Sequence, residues 1–120
     1  MALPGPGEWL TLEDYKTWAR IDATDTTDDE AISRAVAAAM EALEIRAPIA
    51  FPIDPETGEP LAPVPAGVEE AGLLLTNRLM ARRNSPDGIV GVSDMGTARV
   101  LSYDADITAL VSPWTEMVVA

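Results

Sequence analysis

The chain has 120 residues, 48% of them hydrophobic, with eight Lys and Arg against 20 Asp and Glu, a formal net charge of −12, and neither Cys nor His. That length suits one domain with a modest core, and the two missing residue types exclude disulfides, thiolate chemistry and the commonest general base and transition-metal ligand. The acidity excludes nucleic-acid affinity driven by counterion release.

The opening stretch MALPGPGEWL has no basic region followed by an apolar run, so no signal peptide is expected and an intracellular protein follows. A short first helix begins at LTLEDYKTWAR. Thr11 reads as N-cap with Asp14 three residues on, a capping-box pattern, and Leu10 and Tyr15 stand at hydrophobic-staple positions. Leu12, Tyr15 and Ala19 share a face, with Trp18 beside it, before IDATDTT breaks the pattern.

The second helix is the clearest element. In TDDEAISRAVAAAMEALEIRAP, Thr27 and Glu30 have capping-box spacing, and Asp28, Asp29 and Glu30 complement the positive end of the helix dipole. Ile32, Ala35, Val36, Ala39 and Leu43 recur on one face, and small residues such as Ala38 and Ala42 allow a neighbouring helix to approach closely. Arg46 and Pro48 mark the end.

Residues 47–67 hold six of the ten prolines and cannot remain helical. DPETG reads as a tight turn between two extended arms, Ile49–Ile53 and Glu59–Val64. Ile49, Phe51, Ile53, Leu61 and Val64 have two readings of equal weight: cover for the core edge, or a surface for a neighbouring subunit.

A third helix is expected from about Pro65 to Asn84, with Pro65 in its first turn. Val68, Ala71, Gly72, Leu75 and Leu79 repeat the spacing of the second helix, and Leu74 and Met80 widen the stripe, which implies burial on more than one side. Asn84 suits a left-handed cap, and Pro86 stops continuation. GIVGV and ARVLSY around SDMGT fit two short β arms and a turn. A last short helix starts near Asp104 with Ile107, Leu110 and Val111 on one side, followed by an apolar, irregular tail at 112–120. No apolar run is long enough to span a membrane. The fold expected is therefore mainly α, one domain over 1–120. Helices at 28–46 and 66–84 pack antiparallel in a small bundle with short terminal helices and a β-hairpin-like loop at 85–103.

Little enzyme chemistry is available, and no catalytic, cofactor or metal residue is assigned. Most carboxylates lie at helix starts, where capping and dipole effects explain them. DATDTTDDE resembles a cation loop but lacks the glycine and terminal acid of an EF-hand loop. GIVGVSDMG has no strand-to-helix phosphate motif around it. Charge is uneven: residues 1–70 hold four cations and fifteen acids, a net of −11, whereas 71–120 hold four and five, a net of −1. Solubility explains such acidity, and so does a surface that nucleic acid must pass without sticking.

Arg78, Arg82 and Arg83 cluster at the end of the third helix. Cations there complement the helix dipole, but Arg78 and Arg82 form an i, i+4 pair of like charge with no acid beside them in the helix. Their partner must come from elsewhere in the fold or from another chain.

Residues 74–114 carry a resemblance. Arg78 to Gly88 read R-L-x-x-R-R-N-S-P-x-G, Gly91 to Gly96 read G-x-x-D-x-G, then come Arg99-Val100, the D-x-D-I of Asp104 to Ile107, and Pro113-Trp114. This half resembles phage head-to-tail adaptor proteins, the gp6-like and gp15-like connector family of long-tailed phages, and residues 10–73 fit more loosely. The resemblance implies a mostly helical virion protein without enzymatic activity or cofactor. It would be assembled in the host cytoplasm and placed at the head–tail interface as a ring, usually dodecameric. Its implied partners are copies of itself, the portal protein and the downstream neck, stopper or tail protein, with DNA passing through the channel unread and no membrane involved. The expected interaction residues are Arg78, Arg82, Arg83, Ile89, Val90, Val92, Met95, Arg99, Trp114, Met117 and Val118: the cationic cluster beside apolar residues that lack helical periodicity. The alternative is a small acidic regulatory module, antitoxin- or inhibitor-like, that masks a basic partner.

Overall fold

The computed structural model describes residues 3–83 and 104–115, and its order is helical throughout. Helix α1 spans Leu12–Ala19. The Thr11 hydroxyl accepts from the Asp14 amide at 3.1 Å and the Asp14 carboxylate accepts from the Thr11 amide at 2.9 Å, so the expected capping box is complete. α1 ends on Arg20, whose φ of 61° is left-handed, and the Ile21 amide reaches back to the Lys16 carbonyl at 2.8 Å.

Helix α2 spans Asp29–Arg46 and buries the expected face of Ile32, Ala35, Val36, Ala39 and Leu43, together with Met40. Its start differs from expectation. The Thr27–Glu30 capping box does not form: the N-cap is Asp28, without a side-chain cap bond. The Asp25 carboxylate instead takes the Thr27 amide at 3.1 Å, and Glu30 pairs with Arg34 one turn on at 2.9 Å. A turn closed by an aspartate outcompetes a threonine cap and delays the helix.

Beyond α2, Pro48–Ala50 form a single 3-10 turn. The DPETG turn forms as read: the Gly58 amide donates to the Asp54 carbonyl at 2.7 Å, and Gly58 has a φ of +75°. The arms beside it pair only through one isolated antiparallel bridge, Ile53 with Pro60, because prolines remove the donors a ladder needs.

Helix α3 spans Ala66–Arg83. Pro65 stands just before it, and its carbonyl accepts from the amides of Val68 and Glu69. The buried face is Val68, Ala71, Gly72, Leu75, Thr76 and Met80. Leu79 is only half-buried, against expectation. Thr76 takes a place in the face because its hydroxyl donates to the Gly72 carbonyl at 2.7 Å, so no polar group is stranded. At Gly72 an added Cβ would lie 3.0 Å from a Leu10 methyl and 3.1 Å from the Trp9 ring. The missing side chain admits those residues to the helix surface.

Helix α4 spans Ala105–Val111 and continues into a 3-10 turn at Ser112–Trp114. Ile107 and Val111 are fully buried. Arg78 meets Asp104 at one end of α4 and Gly67 lies under the Leu110 carbonyl at the other, so α4 runs antiparallel to α3. The turn after α4 also touches the turn after α2. The C-terminal end of α2 therefore lies at the N-terminal end of α3, and these two packed helices are antiparallel, as the sequence predicts. The core lies between them, closed on one side by α4 and on the other by α1 with Trp9 and Leu10. The β-hairpin-like loop expected at 85–103 lies outside the described residues, as does the tail after Thr115.

Candidate interaction surface

Two ends of the bundle carry the residues that bear on function. At the C-terminal end of α3, Arg78 Nε donates to Asp104 Oδ2 at 2.8 Å. The partner that the like-charged Arg78–Arg82 spacing demands is thus, for Arg78, an acid of the same chain. Asp104 also N-caps α4, its Oδ1 accepting from the amides of Asp106 at 3.0 Å and Ile107 at 3.1 Å. Burial pushes the Asp104 carboxyl up, but the Ile107 amide, the Arg78 guanidinium and the Asp106 amide outweigh it and hold it below its ordinary range. One carboxylate therefore pins α4 to α3.

Arg82, one turn beyond Arg78, is half-buried, and Arg83 is exposed at the helix end. Trp114, expected on an interaction surface, is half-buried and packs against the core. Ile89, Val90, Val92, Met95, Arg99, Met117 and Val118 lie outside the described residues.

The other end holds the Pro-rich segment, where the structure divides the apolar residues between the two readings. Phe51 and Val64 are half-buried against the core, and the Phe51 ring centroid lies 5.3 Å from that of Trp9. Ile49, Ile53 and Leu61 stay 51%, 47% and 62% exposed, and Ile45 at the end of α2 is 75% exposed. A shallow surface groove, too small to hold a ligand, runs between Pro4–Pro6 and Phe51, Ile53 and Pro60 of the Pro-rich segment.

The acidic loop between α1 and α2 is filled from within. Lys16 is buried, and its ammonium donates to the carbonyls of Ala23 at 3.3 Å and Asp25 at 2.7 Å and to the Asp29 carboxylate at 2.9 Å. A lysine supplies the cation to which the loop oxygens converge. Asp22 and Asp25 are held below the ordinary carboxylate range, chiefly by hydrogen bonds from Thr24 and Thr27 respectively. No group of three metal-ligating side chains occurs among the described residues. Glu44 is a second structural acid that the sequence did not single out: it accepts from the Gly7 amide at 2.6 Å and the Trp9 indole at 2.9 Å, latching the N-terminal arm to α2. The Trp9 indole N–H, a donor that needs a partner when the ring is buried, is the signal that could have pointed to it.

Among the described residues neither end presents a catalytic arrangement. The Pro-rich end presents exposed apolar residues and acids, and the end of α3 presents the exposed Arg83. No helix of the described residues is long and apolar enough to cross a membrane. A family model described as Phage gp6-like head-tail connector protein matches residues 10–107. No curated protein and no solved structure matches. Among the described residues the match takes in α1, both long helices, the Arg78–Asp104 clasp and the start of α4 up to the fully buried Ile107, and so the chain belongs to the phage gp6-like head-tail connector family.

Proposed function

We propose that this chain assembles as a ring beneath the portal, extends the DNA channel towards the tail, and offers a platform to the next neck or tail protein. Family membership supplies the coarser part: a structural, non-enzymatic virion protein of the head–tail junction. The observation that carries the rest is the match over residues 10–107, which includes the clasp that fixes α4 on α3. The net charge of −12 fits a channel component, because an acidic wall repels phosphate and lets DNA slide instead of binding it. In this reading the portal, the neighbouring copies and the downstream neck protein are partners, and DNA passes without being read.

The test is a phage lacking this gene, complemented by the intact gene in the host. DNA-filled or emptied heads that lack tails, restored to tailed particles by complementation, are the expected result. Complete tailed particles without the protein would overturn the reading.

A further inference from the structure

We propose that in the free protein residues 116–120, EMVVA, fold back over Ile49 and Ile45 of their own chain and cover the apolar surface at the end of α2. The inference concerns the chain before assembly and does not depend on the ring reading above. Ile45, in the last turn of α2, is 75% exposed, and Ile49, four residues on in the 3-10 turn Pro48–Ala50, is 51% exposed. Single exposed apolar residues are ordinary on a protein surface, but neighbouring large ones mark a contact.

The place where the described chain stops selects what covers them. The 3-10 turn Ser112–Trp114 lies against the turn Pro48–Ala50, and Trp114 is packed on the core, so Thr115 leaves the bundle beside Ile49. Five further residues reach up to about 17 Å when extended, which carries them past Ile49 to the last turn of α2. Three of the five, Met117, Val118 and Val119, are consecutive large apolar residues. A segment tethered this closely meets the surface at an effective concentration in the millimolar range, above that of any second copy in dilute solution.

Charge agrees with the same occupant. Arg46, beside Ile45, is half-buried and is the one cation between Arg34 and Arg78. Ala42 and Leu43 stand four and three residues before it, so α2 gives it no acid at helical spacing. Glu44 is committed to the Gly7 amide and the Trp9 indole. Among the described residues no ion pair involves Arg46. Glu116 brings an acid to it, and residues 116–120 contain no cation to oppose it.

The test measures how fast a thiol placed at Ile49 reacts. The protein has no cysteine, so Ile49→Cys carries the one thiol of the chain. Three purified chains bearing it are treated with a maleimide, each well below its unfolding midpoint and over a range of protein concentrations: the full chain, a chain ending at Thr115, and the full chain with Val118→Asp. Both altered chains should label several-fold faster than the full chain, and the full chain's rate should not depend on protein concentration. If the shortened chain does not fold, Val118→Asp alone decides. A rate unchanged by Val118→Asp would overturn the proposal. Labelling of the full chain that slows as its concentration rises would show that a second copy supplies the cover, and would overturn it too.

Discussion

Asp104 binds Arg78 and the start of α4 with the same carboxylate, Oδ2 accepting from the guanidinium at 2.8 Å and Oδ1 from two helix amides. The Arg78 side chain is 39% exposed, so the ion pair itself contributes little, whereas the cap acts on a carboxylate only 10% exposed. Asp104→Ala should therefore destabilise the fold by about 1–2 kcal/mol, and Arg78→Ala by less than about 1 kcal/mol. Chemical denaturation of the isolated chain measures both. The folded-state carboxyl is held below its unfolded value. Its contribution is thus fully present above the ordinary carboxylate range and is lost as pH falls through the lowered folded value. Asp104→Asn should flatten the acid limb of the stability profile, and an unchanged limb would show that the clasp is not formed.

Lys16 is 5% exposed and its ammonium holds three oxygens of the acidic loop. Lys16→Met keeps the volume and removes the donors. We expect a loss of about 1–3 kcal/mol and faster amide exchange over residues 24–27, since the loop carbonyls lose their shared cation. Unchanged exchange would mean that the loop holds itself.

Leu75 is fully buried whereas Leu79 is only half-buried, although both fall on the sequence stripe. Leu75→Ala should cost about 2–5 kcal/mol, and Leu79→Ala clearly less. Equal losses would contradict the helix rotation that puts Thr76 and Met80 inside.

Arg83→Glu lies on an exposed helix end, so stability should change by less than about 0.5 kcal/mol while incorporation into particles falls. A truncation aimed at the tail should start after Thr115, because removing Trp114 would strip a residue packed on the core. If Arg83→Glu enters particles at the wild-type level, the α3 end is not a contact.

The sequence made the helices legible wherever one period dominated. The α2 face from Ile32 to Leu43 and the α4 pair Ile107 and Val111 are buried as spaced. The Thr11–Asp14 box was legible because its two residues need only each other. The Thr27–Glu30 box was not, because Asp25 competes for the same backbone. On α3 a hydroxyl bonded within its own helix disguised a core position as a polar one. The Arg cluster was visible as an unbalanced charge, but that Asp104 answers Arg78 depends on α4 folding back along α3, which no local pattern encodes. The apolar residues of the Pro-rich segment carried no period to sort them, and only their packing against Trp9 and the core separates Phe51 and Val64 from Ile49, Ile53 and Leu61.

The central claim is that this helical frame forms a ring at the head–tail junction. The most direct measurement is a cryo-electron reconstruction of the neck of intact particles, with the chain located by its two long antiparallel helices and by a tag fused to the N-terminus. The account predicts several copies of the bundle closing around the DNA channel directly below the portal. A single copy, or copies placed on the capsid shell or along the tail tube, would contradict it.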